Sequence, residues 1–223
     1  LLKGGDMARG DDASTLKVMV VIWLYEIFGP SIPNLVSSSK DGRGLHNDHT
    51  GRLICPGEFN WDDQGVRAAI RAGDEAYAVT AYSWPLFCYK DFTYNQENCE
   101  EGLWKSALMV KTFKCIFTSP SSAIDDEEPE PSPSPPTKRR RAARPTTRPN
   151  VASKIGLKSV TGRSLAYIAV QLRFALSSAL SWSPTDADFS YVTFYAAAVD
   201  YFEAPPGPIA AAEVELLLQW WNV

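Results

Sequence analysis

In residues 103–117 the apolar side chains Leu103, Ala107, Val110, Phe113 and Phe117 recur at three- and four-residue steps, the spacing of one helix face. A second face runs through Leu165, Ile168, Leu172, Leu176, Ala179 and Leu180, predicting a long helix over 161–182 that Ser183-Pro184 ends. A third helix carries Tyr191, Phe194, Tyr195, Val199 and Phe202 behind Ser190 as N-cap. After the rigid turn Pro205-Pro206-Gly207-Pro208, a last helix covers 209–221. Nearer the start, Ser14 or Thr15 is the expected cap of a helix reaching Phe28, where Gly29-Pro30 stops it; residues 1–13 read as a flexible N-terminus. Asp62-Asp63 opens a short helix over 64–72 that Gly73 ends.

Between these helices the pattern weakens. Residues 29–60, dense in Gly, Pro, Ser and Asn, read as a long irregular connection with a short apolar stretch at 53–55. Residues 77–82 alternate well enough to predict a strand, and Trp84-Pro85-Leu86-Phe87 continues as an extended aromatic segment. With no repeated β-α unit, the expected fold is mainly α (α+β with a small β element).

The periodic pattern disappears over 119–154. Five acids (Asp125 to Glu128, and Glu130) are followed by prolines interleaved with Ser132 and Ser134, then by Lys138, Arg139, Arg140, Arg141, Arg144 and Arg148. So little apolar surface cannot offset the entropy of ordering the chain, so a disordered acidic/Pro-Ser/basic insert is expected. The domain reading is therefore a first helical part over 14–118, an insert over 119–154 and a second part of the same domain over 155–223. Pro120 is expected to close the helix before the insert.

Composition adds bounds. Seven Trp, nine Tyr and ten Phe supply bulk for a core, and a net charge of −4 argues against a whole-surface nucleic-acid binder. The longest apolar run, 18–28, is interrupted by Glu26 and falls short of the roughly 20 residues a membrane span needs. No secretory signal is apparent, and four cysteines without a C-x-x-C pair form no disulfide scaffold. The expected location is nuclear or cytoplasmic, not secreted. A start at Leu1 rather than Met fits a fragment or a missing upstream exon.

Several words of the sequence resemble a family of uncharacterised proteins of mushroom-forming (basidiomycete) fungi, a domain of unknown function. They are Arg43-Gly44-Leu45-His46, Thr50-Gly51-Arg52-Leu53-Ile54-Cys55-Pro56, Trp84-Pro85-Leu86-Phe87-Cys88-Tyr89 and Gly102-Leu103-Trp104. Further on come Ile116-Phe117-Thr118-Ser119-Pro120, Ser159-Val160-Thr161, the run from Ile168 to Ser178, and Trp220-Trp221-Asn222. The resemblance implies one domain across the insert and brings no reaction with it. Against that family the insert is longer and more charged, His49 replaces an apolar residue, and the chain ends soon after Asn222, as an altered or truncated end would.

Candidate chemistry is sparse. His46, His49 and Cys55 are weak candidate metal ligands; a fourth ligand at regular spacing is lacking, and capping or local hydrogen bonding explains the histidines as well. No nucleophile elbow and no phosphate-cradling glycine loop is present, so neither catalytic residues nor a cofactor is assigned. Ser119, Ser132 and Ser134 each precede proline and are candidate phosphorylation sites. The strongest signal is the cluster Lys138, Arg139, Arg140, Arg141 and Arg144, of the type an import receptor reads or nucleic-acid phosphates attract. The leading expectation is a non-enzymatic nuclear interaction protein with an import receptor, and protein partners reached through the insert. The alternatives are an enzyme with a site from residues 43–60 and 84–89, and a non-specific nucleic-acid binder through the insert. Trp220 and Trp221, being adjacent, cannot both face one core.

Overall fold

The computed structural model describes residues 2–119, 123, 152 and 156–222. Its helices in chain order are α1 (Leu2–Phe28), α2 (Asp48–Ile54), α3 (Gln64–Ala72), α4 (Ala107–Phe113), α5 (Gly162–Leu176), α6 (Tyr191–Glu203) and α7 (Pro208–Trp221). The expected class holds: a mainly helical chain with one small antiparallel hairpin, β1 (Thr185–Asp186) with β2 (Phe189–Ser190).

Side-chain caps set most helix starts. Asp63 accepts from the amides of Gly65 and Val66, at 2.7 and 3.2 Å, and opens α3. Gly73, at φ 74°, ends that helix in the left-handed conformation a glycine adopts without cost. Ser190 accepts from the Thr193 amide and opens α6, and Pro208 sits in the first turn of α7, where its missing N–H costs nothing. Thr161 and Ser164 exchange bonds in a reciprocal cap at the start of α5.

Five expectations are corrected. The first helix begins at Leu2, and Thr15 donates its hydroxyl to the Asp11 carbonyl within the helix instead of capping it. The 29–60 connection contains α2, whose amides at His49 and Thr50 are taken by the Asn47 side chain. A helix of seven residues is too short to leave a periodic signal. Residues 77–82 form no strand: Glu75–Tyr77 is a 3-10 turn, and among the described residues no strand pairs with 78–82, so alternation alone does not make a ladder. The small β element lies at 185–190 instead. The helix expected over 103–117 starts only at Ala107, because Ser106 accepts from the Met109 amide and Trp104 holds a positive φ of 62°. It ends in a π turn, Lys114–Thr118. The long helix stops at Leu176, not Trp182; Leu180 is exposed there.

α5 is the centre of the fold. Buried on nearly every side, it packs against α1, α4 and α6. Leu16, Val20, Trp23 and Leu24 of α1 share one core with Leu108 of α4, Leu165, Ile168 and Leu172 of α5, and Phe194 of α6. Residues before and after 124–151 thus build one body. Polar ties cross the same divide: Tyr167 donates its hydroxyl to Asp12 at 2.6 Å, and the Trp221 indole donates to the Trp104 carbonyl at 3.0 Å. Asn222 accepts from the Val160 amide at 2.7 Å and donates back to its carbonyl. Of the adjacent tryptophans, Trp221 packs against this core and Trp220 is exposed. A smaller cluster, Cys55, Trp61 and Ile70, sits under α2 and α3.

Gly162 marks the tightest contact in this core. A β-carbon there would lie 2.3 Å from Cβ of Phe202, an atom no rotamer change can move away. Ala is worth about 1 kcal/mol over Gly within a helix. The clash, at about 1–3 kcal/mol for overpacking, outweighs that gain. Gly162→Ala is therefore expected to lower stability in urea denaturation; an unchanged or higher midpoint contradicts the packing described.

Candidate functional site

At the C-terminal end of α5 the last carbonyls are met by two buried cations from the 29–46 connection. The Lys40 ammonium donates to the carbonyls of Phe174 and Ala179, at 2.6 and 2.5 Å, and to the Ser177 hydroxyl at 3.3 Å. It also lies 3.4 Å from the Phe174 ring centre. Arg43, 1% exposed, donates to the carbonyls of Ala175 at 2.8 Å, Lys17 at 2.6 Å and Val36 at 3.2 Å. Cations at this end complement the partial negative charge of the helix dipole. Burial pulls the Lys40 pKa down to about 7 and that of Arg43 to about 10.

The word Arg43-Gly44-Leu45-His46 is thereby explained. Arg43 caps α5, Gly44 takes φ 74° with Ser178 pressed against it, and its carbonyl accepts from the Thr50 hydroxyl at 2.8 Å. Leu45 offers its carbonyl to Nε of Arg71, at 2.8 Å. His46 comes out exposed on the wall of a cleft of about 590 Å³.

That cleft lies between the 44–54 segment, the 70–80 segment and the hairpin that follows α5. On its wall Arg173 is almost wholly buried, beneath the Phe189 ring at 4.4 Å, and donates to Asp186 at 3.4 Å. Asp186 also accepts from the Tyr191 hydroxyl at 3.5 Å. Arg71 bonds Asp48 at 2.7 Å, and Glu75, Asp188 and Ser178 add to the polar lining. Motif and spacing single out none of these residues. The one signal in the sequence is Arg173 itself, a charge on a helix otherwise apolar over 165–176 except for Gln171.

The candidate ligands are not brought together. His49 stacks on Phe28 at 5.2 Å between ring centres, away from the cleft lining. The Cys55 thiol is buried in the Trp61 cluster, where burial pushes its pKa up to about 12. Among the described residues no three His, Cys, Asp or Glu side chains form a metal-holding group. The 43–60 and 84–89 segments do join: Leu86 donates its amide to the Cys55 carbonyl, and Gly57 to that of Trp84, both at 2.9 Å. The junction is a backbone bridge, however, and Phe87, Cys88 and Tyr89 turn into the core. Ser119 is half-buried and its amide closes the π turn onto the Lys114 carbonyl at 2.9 Å. Ser132, Ser134 and the cluster Lys138, Arg139, Arg140, Arg141 and Arg144 lie outside the described residues.

Fold and cleft together define a mainly helical domain with a polar cleft beside the C-terminal end of α5. The chain belongs to a family of unknown function (DUF6698), whose model matches residues 3–223. Comparison with curated proteins and with solved structures finds no match. No helix among the described residues is long and apolar enough to cross a membrane.

Proposed function

We propose that the protein is a non-enzymatic nuclear interaction scaffold, a member from a mushroom-forming fungus, whose insert carries an import signal. The observation that supports this reading is where the insert leaves and rejoins the body. Ala123 is fully buried and accepts from Lys111, at 3.2 Å; Ala152 packs on the same core and accepts from the Leu157 amide, at 2.8 Å. Both ends of the segment are thus held on one core, which supports reading it as an insertion within one domain, and its charged residues are the feature a receptor reads. Lys138, Arg139, Arg140, Arg141 and Arg144 offer a dense positive cluster, and prolines separate it from the acids upstream. Phosphorylation at Ser132 or Ser134 would add negative charge beside that cluster and weaken its reading by an acidic receptor groove.

A fluorescent reporter fused to residues 136–149 is expected to accumulate in the nucleus and to lose that accumulation when Arg139, Arg140 and Arg141 become Ala. A reporter that stays evenly distributed with the intact segment overturns the assignment. Non-specific nucleic-acid binding through the same arginines is the second reading; it predicts retention on a heparin or DNA column that salt abolishes.

A further inference from the structure

Two arginines are almost wholly buried among the described residues, both with an unpartnered Nε, and Arg173 is held by fewer hydrogen bonds than Arg43. Arg43 spends its two terminal nitrogens on three carbonyls, and Arg163 grips Glu203 through two bonds, at 2.7 and 2.8 Å. The Arg173 side chain is only 4% exposed, yet its guanidinium makes a single hydrogen bond among the described residues, the long one to Asp186, and its Nε has no partner. A guanidinium carries five N–H donors, and keeping several unused in a buried place costs free energy unless something else takes them.

The rest of the cleft indicates what that something is. Ser178 is exposed on the same wall, with neither its amide nor its hydroxyl hydrogen-bonded among the described residues. Glu75 and Asp188 are exposed carboxylates of the lining that form no ion pair among the described residues. Beside Arg71 and Arg173 the lining carries Glu75, Asp186 and Asp188, so it offers both signs of charge to one ligand. Leu45 and Val79 give the lining an aliphatic part. Its volume of about 590 Å³ suits a small molecule, within the roughly 300–1,000 Å³ of ligand pockets.

We infer that this cleft binds a small zwitterion of the amino-acid class, its carboxylate on Arg173 and Ser178, its ammonium on Asp188 and Glu75, and its aliphatic body along Leu45 and Val79. The carboxylate supplies the two acceptors the guanidinium fork lacks, and the free acids hold the opposite charge.

The full-length ¹⁵N-labelled protein, titrated in turn with leucine, 4-methylpentanoate and isoamylamine, tests it by amide chemical shifts. Leucine should move the amides of Gly44, Ser178 and Ala187 saturably. The carboxylate without the amine should bind about fivefold more weakly, and the amine alone should produce no saturable shift. Arg173→Met should weaken leucine at least about tenfold. Asp188→Asn, an exposed change, should weaken leucine about threefold and leave 4-methylpentanoate unchanged. Should the methionine variant fail to give a dispersed spectrum, Arg173→Lys keeps the charge without the fork and should still lose most of the affinity. No saturable leucine shift, or unchanged leucine affinity in a folded Arg173 variant, overturns the proposal.

Discussion

Arg43→Met is expected to cost the fold about 2 kcal/mol, read as a lower urea midpoint with an unchanged denaturant slope. The substitution keeps most of the side-chain volume and removes the donors, so packing loss is small. The Lys17 carbonyl lies inside α1 and keeps its helical bond, whereas those of Ala175 and Val36 lose the donor Arg43 supplies. The buried Ala175 carbonyl left alone costs about 1–3 kcal/mol and the part-buried Val36 carbonyl less, and relief of the guanidinium's own desolvation returns part of the sum. That desolvation follows from the burial of Arg43, which is 1% exposed. Because the three acceptors belong to α1, the 29–46 connection and the end of α5, the loss should be global. A change below about 1 kcal/mol would contradict the role assigned to Arg43.

Stability should pass through a maximum near pH 8–9, by proton linkage with two opposed sets of groups. Lys40 has a folded pKa of about 7 against an ordinary 10.5, so its contribution is complete above 10.5 and lost as pH falls through 7. From pH 7 to 8.5 it should add about 1–2 kcal/mol. The thiols act in the other direction. Burial raises Cys55 to about 12, Cys115 to about 11 and Cys88 well above its ordinary 9.0. Their contribution is complete below 9.0 and disappears as pH rises toward 11–12, because the unfolded chain ionises first. Three thiols against one amine should remove about 2 kcal/mol between pH 9 and 10. Urea denaturation at pH 7, 8.5 and 10 measures both limbs, and Lys40→Met should flatten the lower one. A steady rise to pH 10 would contradict the burial of the thiols.

Legible in the sequence is whatever local chemistry decides by itself. The Asp63 cap and Gly73 stop of α3 and the Ser190 cap of α6 are single-residue signals, and all appear in the structure; α7 starts at Pro208, one residue ahead of the expected 209. Tertiary contacts decide the rest. α5 ends at Leu176 because Lys40 and Arg43, more than 130 residues away in sequence, take its last carbonyls, while Ala179 and Leu180 continue the apolar pattern. The tyrosine-containing stretch 77–82 has strand spacing but meets no partner strand among the described residues. The cleft is invisible in the sequence for the same reason: His46, Arg71, Arg173 and Asp188 share no spacing and come together only through folding. His46, His49 and Cys55, close in sequence, diverge because α2 and its neighbouring turns send one to the cleft, one onto Phe28 and one into the core.

The central claim is that residues on both sides of 124–151 build one cooperative body around α5. Native-state hydrogen exchange tests it most directly, through the amides of residues 16–24 in α1, 108–112 in α4 and 168–176 in α5. A single opening free energy shared by all three groups, equal to that from urea unfolding, is the expected result. Two distinct values, one for residues before the insert and one for those after it, would contradict the account.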